Sequence, residues 1–279
     1  MPSGTAMYPF GILLIEPRSG HAAVPFVLHQ ALSCVQHTTI PVVWAHGPEL
    51  DQKAFLAQHP ELIRAGADTH LRFWQLPLKR DNLTLLSYSR LLTSTQFWAR
   101  VQAEQVLIVQ TDACFHAESP FGLRYWQQLM EADGEEGFDY VGAPWPKYRT
   151  PLCWPWSTGT GNGGVSWRRT QAMLQAIETL GPFQPRKHVA EDVYFGHFGA
   201  QAGCVRTVPS DLATRFCVDE TLLDDQHATP WLTHKAWRFN CYENKQLEAT
   251  VQHRFHTHTK QLKRVHELND DVHELNHRR

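Results

Sequence analysis

Apolar positions along this chain fall into two kinds of run that alternate. Phe10–Glu16 (FGILLIE), Pro41–Gly47 (PVVWAHG) and Val106–Val109 are short, nearly unbroken apolar runs, and they predict strands buried on both faces. Between the first two, Val24, Val27, Leu28, Ala31, Leu32 and Val35 recur at helical spacing over residues 22–36, and a shorter helix is expected over 50–58. Residues 70–76 (HLRFWQL) alternate as a third strand. The chain to about residue 80 therefore reads β-α-β-α-β, the pattern of a parallel, nucleotide-binding type of sheet. A longer helix over about Leu83–Val101, with Leu85, Tyr88, Leu92 and Trp98 on its packed stripe, leads into the central strand, QVLIVQTDACFH at 105–116.

Beyond that strand the pattern predicts a short helix near Gly122–Met130, a strand over Phe138–Val141 and a strand at Val165–Trp167. A helix over 171–180 stops at Gly181-Pro182, residues 189–198 have helical spacing, and Cys204–Val208 reads as a strand. From Leu247 aromatics thin out, charges and histidines gather, and VHELN occurs twice, at 265–269 and 272–276. Two heptads do not argue a coiled coil, so the expectation is an α/β domain over 8–245 with a mostly parallel sheet flanked by helices. An amphipathic helical appendage over 246–279 would pack on that domain or on a second copy as a homo-oligomer contact.

A length of 279 residues with 42% hydrophobic content can bury a sizeable core in one large or two small domains. A formal charge of −2 supplies no basic field for nucleic acid or an anionic membrane. Six cysteines without a C-x-x-C pair suggest free thiols of a reducing compartment, and no apolar run is long enough for a membrane span. The expectation is a cytoplasmic protein.

Candidate chemistry lies in a few places. The central strand ends in Gln110, Thr111 and Asp112, and open α/β sheets bind ligands beyond the carboxyl ends of their strands; a turn cap is the other reading of Asp112. Arg18, just past the first strand, sits where such sheets meet a nucleotide, or is a surface charge. Pro144–Trp156 holds three tryptophans, Trp145 first, and suits either a sugar's apolar face or plain loop packing. Gly159, Gly161, Gly163 and Gly164, with Asn162 among them, let backbone approach a ligand, although neither a P-loop nor G-x-G-x-x-G is present. Glu191-Asp192 could cap a helix or supply a general base. His234, among aromatics, has no partner at metal-ligand spacing in the sequence.

Taken in order, Gln110-Thr111-Asp112, Gly142–Trp145 (GAPW), Gly161–Ser166 (GNGGVS) and Glu191–Phe195 (EDVYF) resemble the motifs of GT-A type, nucleotide-sugar-dependent glycosyltransferases, and of a glycosyltransferase-like domain family that carries all four. The resemblance spans roughly residues 10–240. It implies a Rossmann-type GT-A fold and transfer of a sugar, hexosyltransferase-like, from a nucleotide-sugar donor to a glycan or other hydroxyl acceptor, with inversion. It also implies Mn²⁺ or Mg²⁺ held by Asp112 and His234, a donor site drawing on Arg18, Gln110, Thr111, Trp145 and Gly161–Gly164, and Asp192 as catalytic base with Glu191 beside it. Gln110 departs from the pattern, standing where the first aspartate of a D-x-D motif would be and bringing no charge. A sugar- or nucleotide-binding protein without turnover, and a metal-dependent hydrolase or nucleotidyl transferase, remain as rival readings.

Overall fold

The computed structural model describes residues 8–131, 137–145, 160–219 and 229–234. Its centre is a six-stranded sheet in the order β3-β2-β1-β4-β7-β6. The strands are β1 (Tyr8–Ile15), β2 (Val42–His46), β3 (Leu71–Gln75), β4 (Ala103–Val109), β6 (Tyr140–Pro144) and β7 (Thr160–Arg169). Strands β3, β2, β1 and β4 run parallel, and only β7 is reversed, lying antiparallel to both β4 and β6. The mostly parallel α/β sheet expected from the alternating runs is therefore what the chain forms.

Alternate residues of each strand serve two cores. On one face Ile12, Leu14, Trp44, Leu107 and Val109 pack with the helix Val24–Val35, whose buried positions are those the spacing predicts. On the other, Leu13, Ala45, Val106 and Ile108 pack with helices Leu85–Leu92 and Thr170–Leu180. The sheet is thus covered by helices on both sides, which is why its strands read as continuous apolar runs.

Three local expectations change. The single helix over 83–101 is broken into Leu85–Leu92 and Thr95–Trp98. Its break sits where Thr93 and Ser94 turn their hydroxyls onto the carbonyls of Ser89 and Leu91 and Ser94 caps the next turn at Phe97. Cys204–Val208 forms no strand, only a single bridge between Thr207 and Tyr140. The glycine-rich stretch, expected as a loop before a short strand, is itself the first half of β7. Its pairing with β6 shifts register around Gly142 and Ala143, and a Cβ on Gly142 would stand 2.3 Å from the Asn162 carbonyl oxygen, so glycine is what allows the close approach.

A second, three-stranded sheet, β5-β9-β8, sits beyond the end of β4. It is made from β5 (Ala113–Phe115), β8 (Cys217–Asp219) and β9 (Leu232–His234), each of three residues. The proposed appendage over 246–279 and most of Pro144–Trp156 lie outside the described residues. Cys34, Cys114, Cys204 and Cys217 are free thiols, and among the described residues no helix is long and apolar enough to cross a membrane.

Candidate functional site

The small sheet is what assembles the site. Antiparallel pairing places Ala113 of β5 opposite His234 of β9, and parallel pairing places Asp219 of β8 opposite the same histidine. Asp112, immediately before β5, therefore meets His234 across 122 positions of sequence: its Oδ1 is 3.1 Å from the imidazole Nε2. Asp219 Oδ2 is 3.6 Å from Nδ1 on the ring's other side. The Asn162 amide donates to the Asp219 carboxylate, while its own oxygen accepts from the Gly164 amide at 2.9 Å. His234 and Asp219 are almost wholly buried, and Asp112 is half-buried. Burial works against a charge on His234, yet the two carboxylates outweigh it and push the imidazole up to about 9.

Gln110 and Gly164 complete this corner. A Cβ on Gly164 would stand 2.3 Å from His234 Nε2 and 2.8 Å from Gln110 Oε1, so both groups converge on space that the glycine leaves open. Gly164→Ala is therefore expected to displace the imidazole and cost about 1–3 kcal/mol. Chemical denaturation of the variant checks this.

The acid pair meets the preceding glycine. Asp192 caps a π-helix, Val193–Gly199, taking the Val193 amide at 2.8 Å on Oδ1 and the Gly163 amide at 3.1 Å on Oδ2. The pattern at 189–198 predicts an ordinary helix; residues Val193–Gly199 take the wider π form instead, with Tyr194 and Phe195 buried. Val189, three residues ahead of Asp192, is held at φ +62°, a strained value for a β-branched residue. Glu191 is 3% exposed and paired with the Arg168 guanidinium at 2.7 Å. Burial, then the Glu191 charge, push the half-buried Asp192 carboxyl up to about 7.

A cleft of about 530 Å³ opens at the carboxyl ends of β1 and β4, lined by Glu16, Arg18, Thr84, Tyr88, Gln110 and Asp112 among others. Arg18 is locked there by a two-pronged ion pair with Glu16, Nε to Oε1 and NH2 to Oε2 each at 2.8 Å. Thr111 also lines the cleft and is buried. Trp145 lies against Gly161, whose Cβ would sit 2.6 Å from the indole.

The structure thus gathers Gln110, Asp112, Gly164 and His234 into one corner and Gly163, Glu191 and Asp192 into another, with Asn162 tied to the first through Asp219. Arg18 lines the cleft from the segment that follows β1, and Trp145 packs on Gly161. Sequence reasoning missed Glu16, Tyr88, Arg168 and Asp219. Asp219 had a signal: FCVD at 216–219 is a brief apolar run ending in aspartate, as the central strand does.

No curated protein matches the chain in sequence. Among solved structures, the galactosyltransferase LgtC in complex with donor and acceptor sugar analogs aligns over 86% of this chain and 94% of its own, at 14% identity and a TM-score of 0.50. Mouse xyloside xylosyltransferase 1 aligns over 83% of this chain and 98% of its own at 11% identity and a TM-score of 0.49. A mannosyltransferase from Pyrobaculum calidifontis, in complex with GDP-Man and Mn²⁺, aligns over 75% and 57% at 14% identity and a TM-score of 0.46. The likeness to LgtC is one of fold, and the fold is that of GT-A glycosyltransferases. In sequence, residues 77–234, more than half of the chain and a span from before the central strand to His234 itself, match one family: the chain belongs to the family described as protein of unknown function DUF5672.

Proposed function

We propose that the protein is a glycosyltransferase that moves a sugar from a nucleotide-sugar donor to an acceptor hydroxyl, with inversion and with a divalent cation. The observation that carries this reading is the pair of Asp112 and His234 beyond the carboxyl end of the central strand, with Asp112 lining a cleft large enough for a nucleotide and His234 buried behind it. The LgtC-like fold supports it.

The donor set fits a cation shared with substrate. Two ligands on adjacent corners of a coordination shell of about 2.1 Å radius stand about 3 Å apart, and Asp112 Oδ1 and His234 Nε2 are at 3.1 Å. Asp219, on the other ring nitrogen, is placed as the carboxylate that commonly orients a metal-binding histidine. Among the described residues no group of three or more His, Cys, Asp and Glu could hold a metal by itself. Mn²⁺ or Mg²⁺ would therefore take its remaining oxygens from the donor diphosphate and water. Bound there, it would neutralise charge on the departing nucleoside diphosphate.

The protein's own groups divide the remaining work. Arg18, fixed by Glu16, and the Gln110 and Thr111 side chains would hold the nucleotide in the cleft, and Asn162–Gly164 would let the sugar approach β7 closely. Asp192 would take the proton of the acceptor hydroxyl as its oxygen attacks the anomeric carbon opposite the leaving group. A carboxyl raised to about 7 is suited to a base at neutral pH. Residues 8–245 would form this domain, with 246–279 as a helical appendage.

A thermal-shift screen of nucleotide sugars and nucleoside diphosphates, with and without Mn²⁺, tests the binding half. A ligand held by the folded state at 100 times its Kd stabilises by about 2.7 kcal/mol. The reading expects at least one nucleotide sugar to raise the Tm, more with Mn²⁺. No shift across the panel would remove the nucleotide-sugar assignment.

A further inference from the structure

Behind the acid pair lies a charge that the proposed reaction does not itself use. Arg168 on β7 is completely buried, an expensive place for a guanidinium unless it is paired; its NH1 has no hydrogen-bond partner among the described residues. Its Nε donates to Ser166 Oγ at 2.9 Å, and its NH2 reaches Glu191 Oε1 at 2.7 Å and the Gly163 carbonyl at 3.5 Å. Its guanidinium lies over Tyr140 at 5.1 Å and Phe195 at 5.6 Å from the ring centroids. A Cβ on Gly163 would come within 2.1 Å of Glu191 Oε1 and 2.9 Å of Arg168 NH2, so the glycine is gripped between the pair and Asp192. The peptide whose carbonyl Arg168 approaches belongs to the residue whose amide holds Asp192.

We propose that the buried Arg168–Glu191 ion pair is a positioning device for Asp192, fixing both the Gly163 backbone of β7 that holds its carboxylate and the charges that face it. This rests on the reading of Asp192 as the base and assigns Glu191 a role other than proton transfer. Among the described residues, the charged and titratable groups that act on Asp192 are Glu191 beside it, Arg168 on β7, Tyr140 on β6 and Tyr88 on the helix Leu85–Leu92. Of these, Glu191 opposes a second negative charge and Arg168 favours it. Burial keeps both tyrosines protonated. Burial acts most strongly on Asp192 and the Glu191 charge next, with the Gly163 and Val193 amides and Arg168 opposing them. The ion pair therefore supplies the charges that tune a carboxyl already raised by burial.

The test needs no substrate. Full-length protein labelled at the aspartate carboxyl carbon is titrated by NMR, with the Asp192 signal identified by its loss in Asp192→Asn. Glu191→Gln keeps an acceptor for Arg168 but removes the opposing charge, so the Asp192 midpoint should fall by about 1 pH unit or more. Arg168→Lys keeps the charge but cannot reproduce the fork. It should loosen the Gly163 backbone, weaken its hydrogen bond to Asp192 and raise the midpoint, which keeps the idea testable if Glu191→Gln does not fold. A purely structural pair would lower Tm in both variants and leave the midpoint in place, and that result would overturn the proposal. Turnover of Asp192→Asn is a separate test: wild-type activity there defeats the base reading, whereas unmoved midpoints with an inactive Asp192→Asn defeat only the positioning role.

Discussion

Asp192→Asn is expected to lower turnover by about 10²–10⁴ while leaving the fold and donor affinity intact. The geometry behind this is a half-buried carboxylate that accepts two backbone amides, from Gly163 and Val193, and stands beside a buried glutamate whose charge Arg168 has claimed. Asparagine is as good a helix cap as aspartate, so a mere cap for the π-helix would survive the change with turnover unaltered. Stability gives a second readout. Asp192 is raised from its ordinary 3.8 to about 7, so its contribution is fully favourable below the unfolded value and is lost as pH rises through about 7. Asparagine carries no such penalty, and at pH 8 the variant should melt no lower than the wild type. The wild-type rate, by contrast, should climb through about pH 7 as the base ionises.

Asp112→Asn is expected to abolish the cation-dependent part of donor binding. It leaves a side chain of the same shape beside His234 but takes away the carboxylate 3.1 Å from Nε2. With Asp112 and His234 as the two proposed ligands among the described residues, loss of one should weaken Mn²⁺ binding in the presence of a nucleoside diphosphate by more than about 100-fold. Loss of the orienting carboxylate in Asp219→Asn should cost about 10–100-fold. Isothermal titration of Mn²⁺ into protein saturated with nucleoside diphosphate measures both. Equal affinity in wild type and Asp112→Asn would show that the Asp112–His234 contact is an ordinary ion pair.

Much of the sheet was legible because its strands are buried on both faces. Val106–Val109 and Ile12–Ile15 had to be apolar throughout, and that pattern admits few alternatives. What stayed hidden was non-local. Asp219 and His234 each follow only a short run, and nothing in the sequence states that β5, β8 and β9, three residues apiece, will pair and bring them to Asp112. Arg168 was invisible for a similar reason: its neighbours come from two distant segments, Tyr140 from β6 and Glu191 and Phe195 from the stretch beyond the following helix. The glycines of β7 misled because glycine favours loops locally, whereas here tertiary contacts with Trp145, Glu191 and His234 require the missing side chains. The π-helix has no local signature in VAEDVYFGHF that separates it from an ordinary helix.

The central claim is transfer, and product analysis tests it most directly. The protein is incubated with a nucleotide sugar that raises its Tm, Mn²⁺ and a set of hydroxyl acceptors, and both products are followed by mass spectrometry. The account predicts free nucleoside diphosphate and glycosylated acceptor in equal amounts, formed by the wild type and not by Asp192→Asn. Donor that binds without turnover, or that is hydrolysed at the same rate whether or not an acceptor is present, would contradict it.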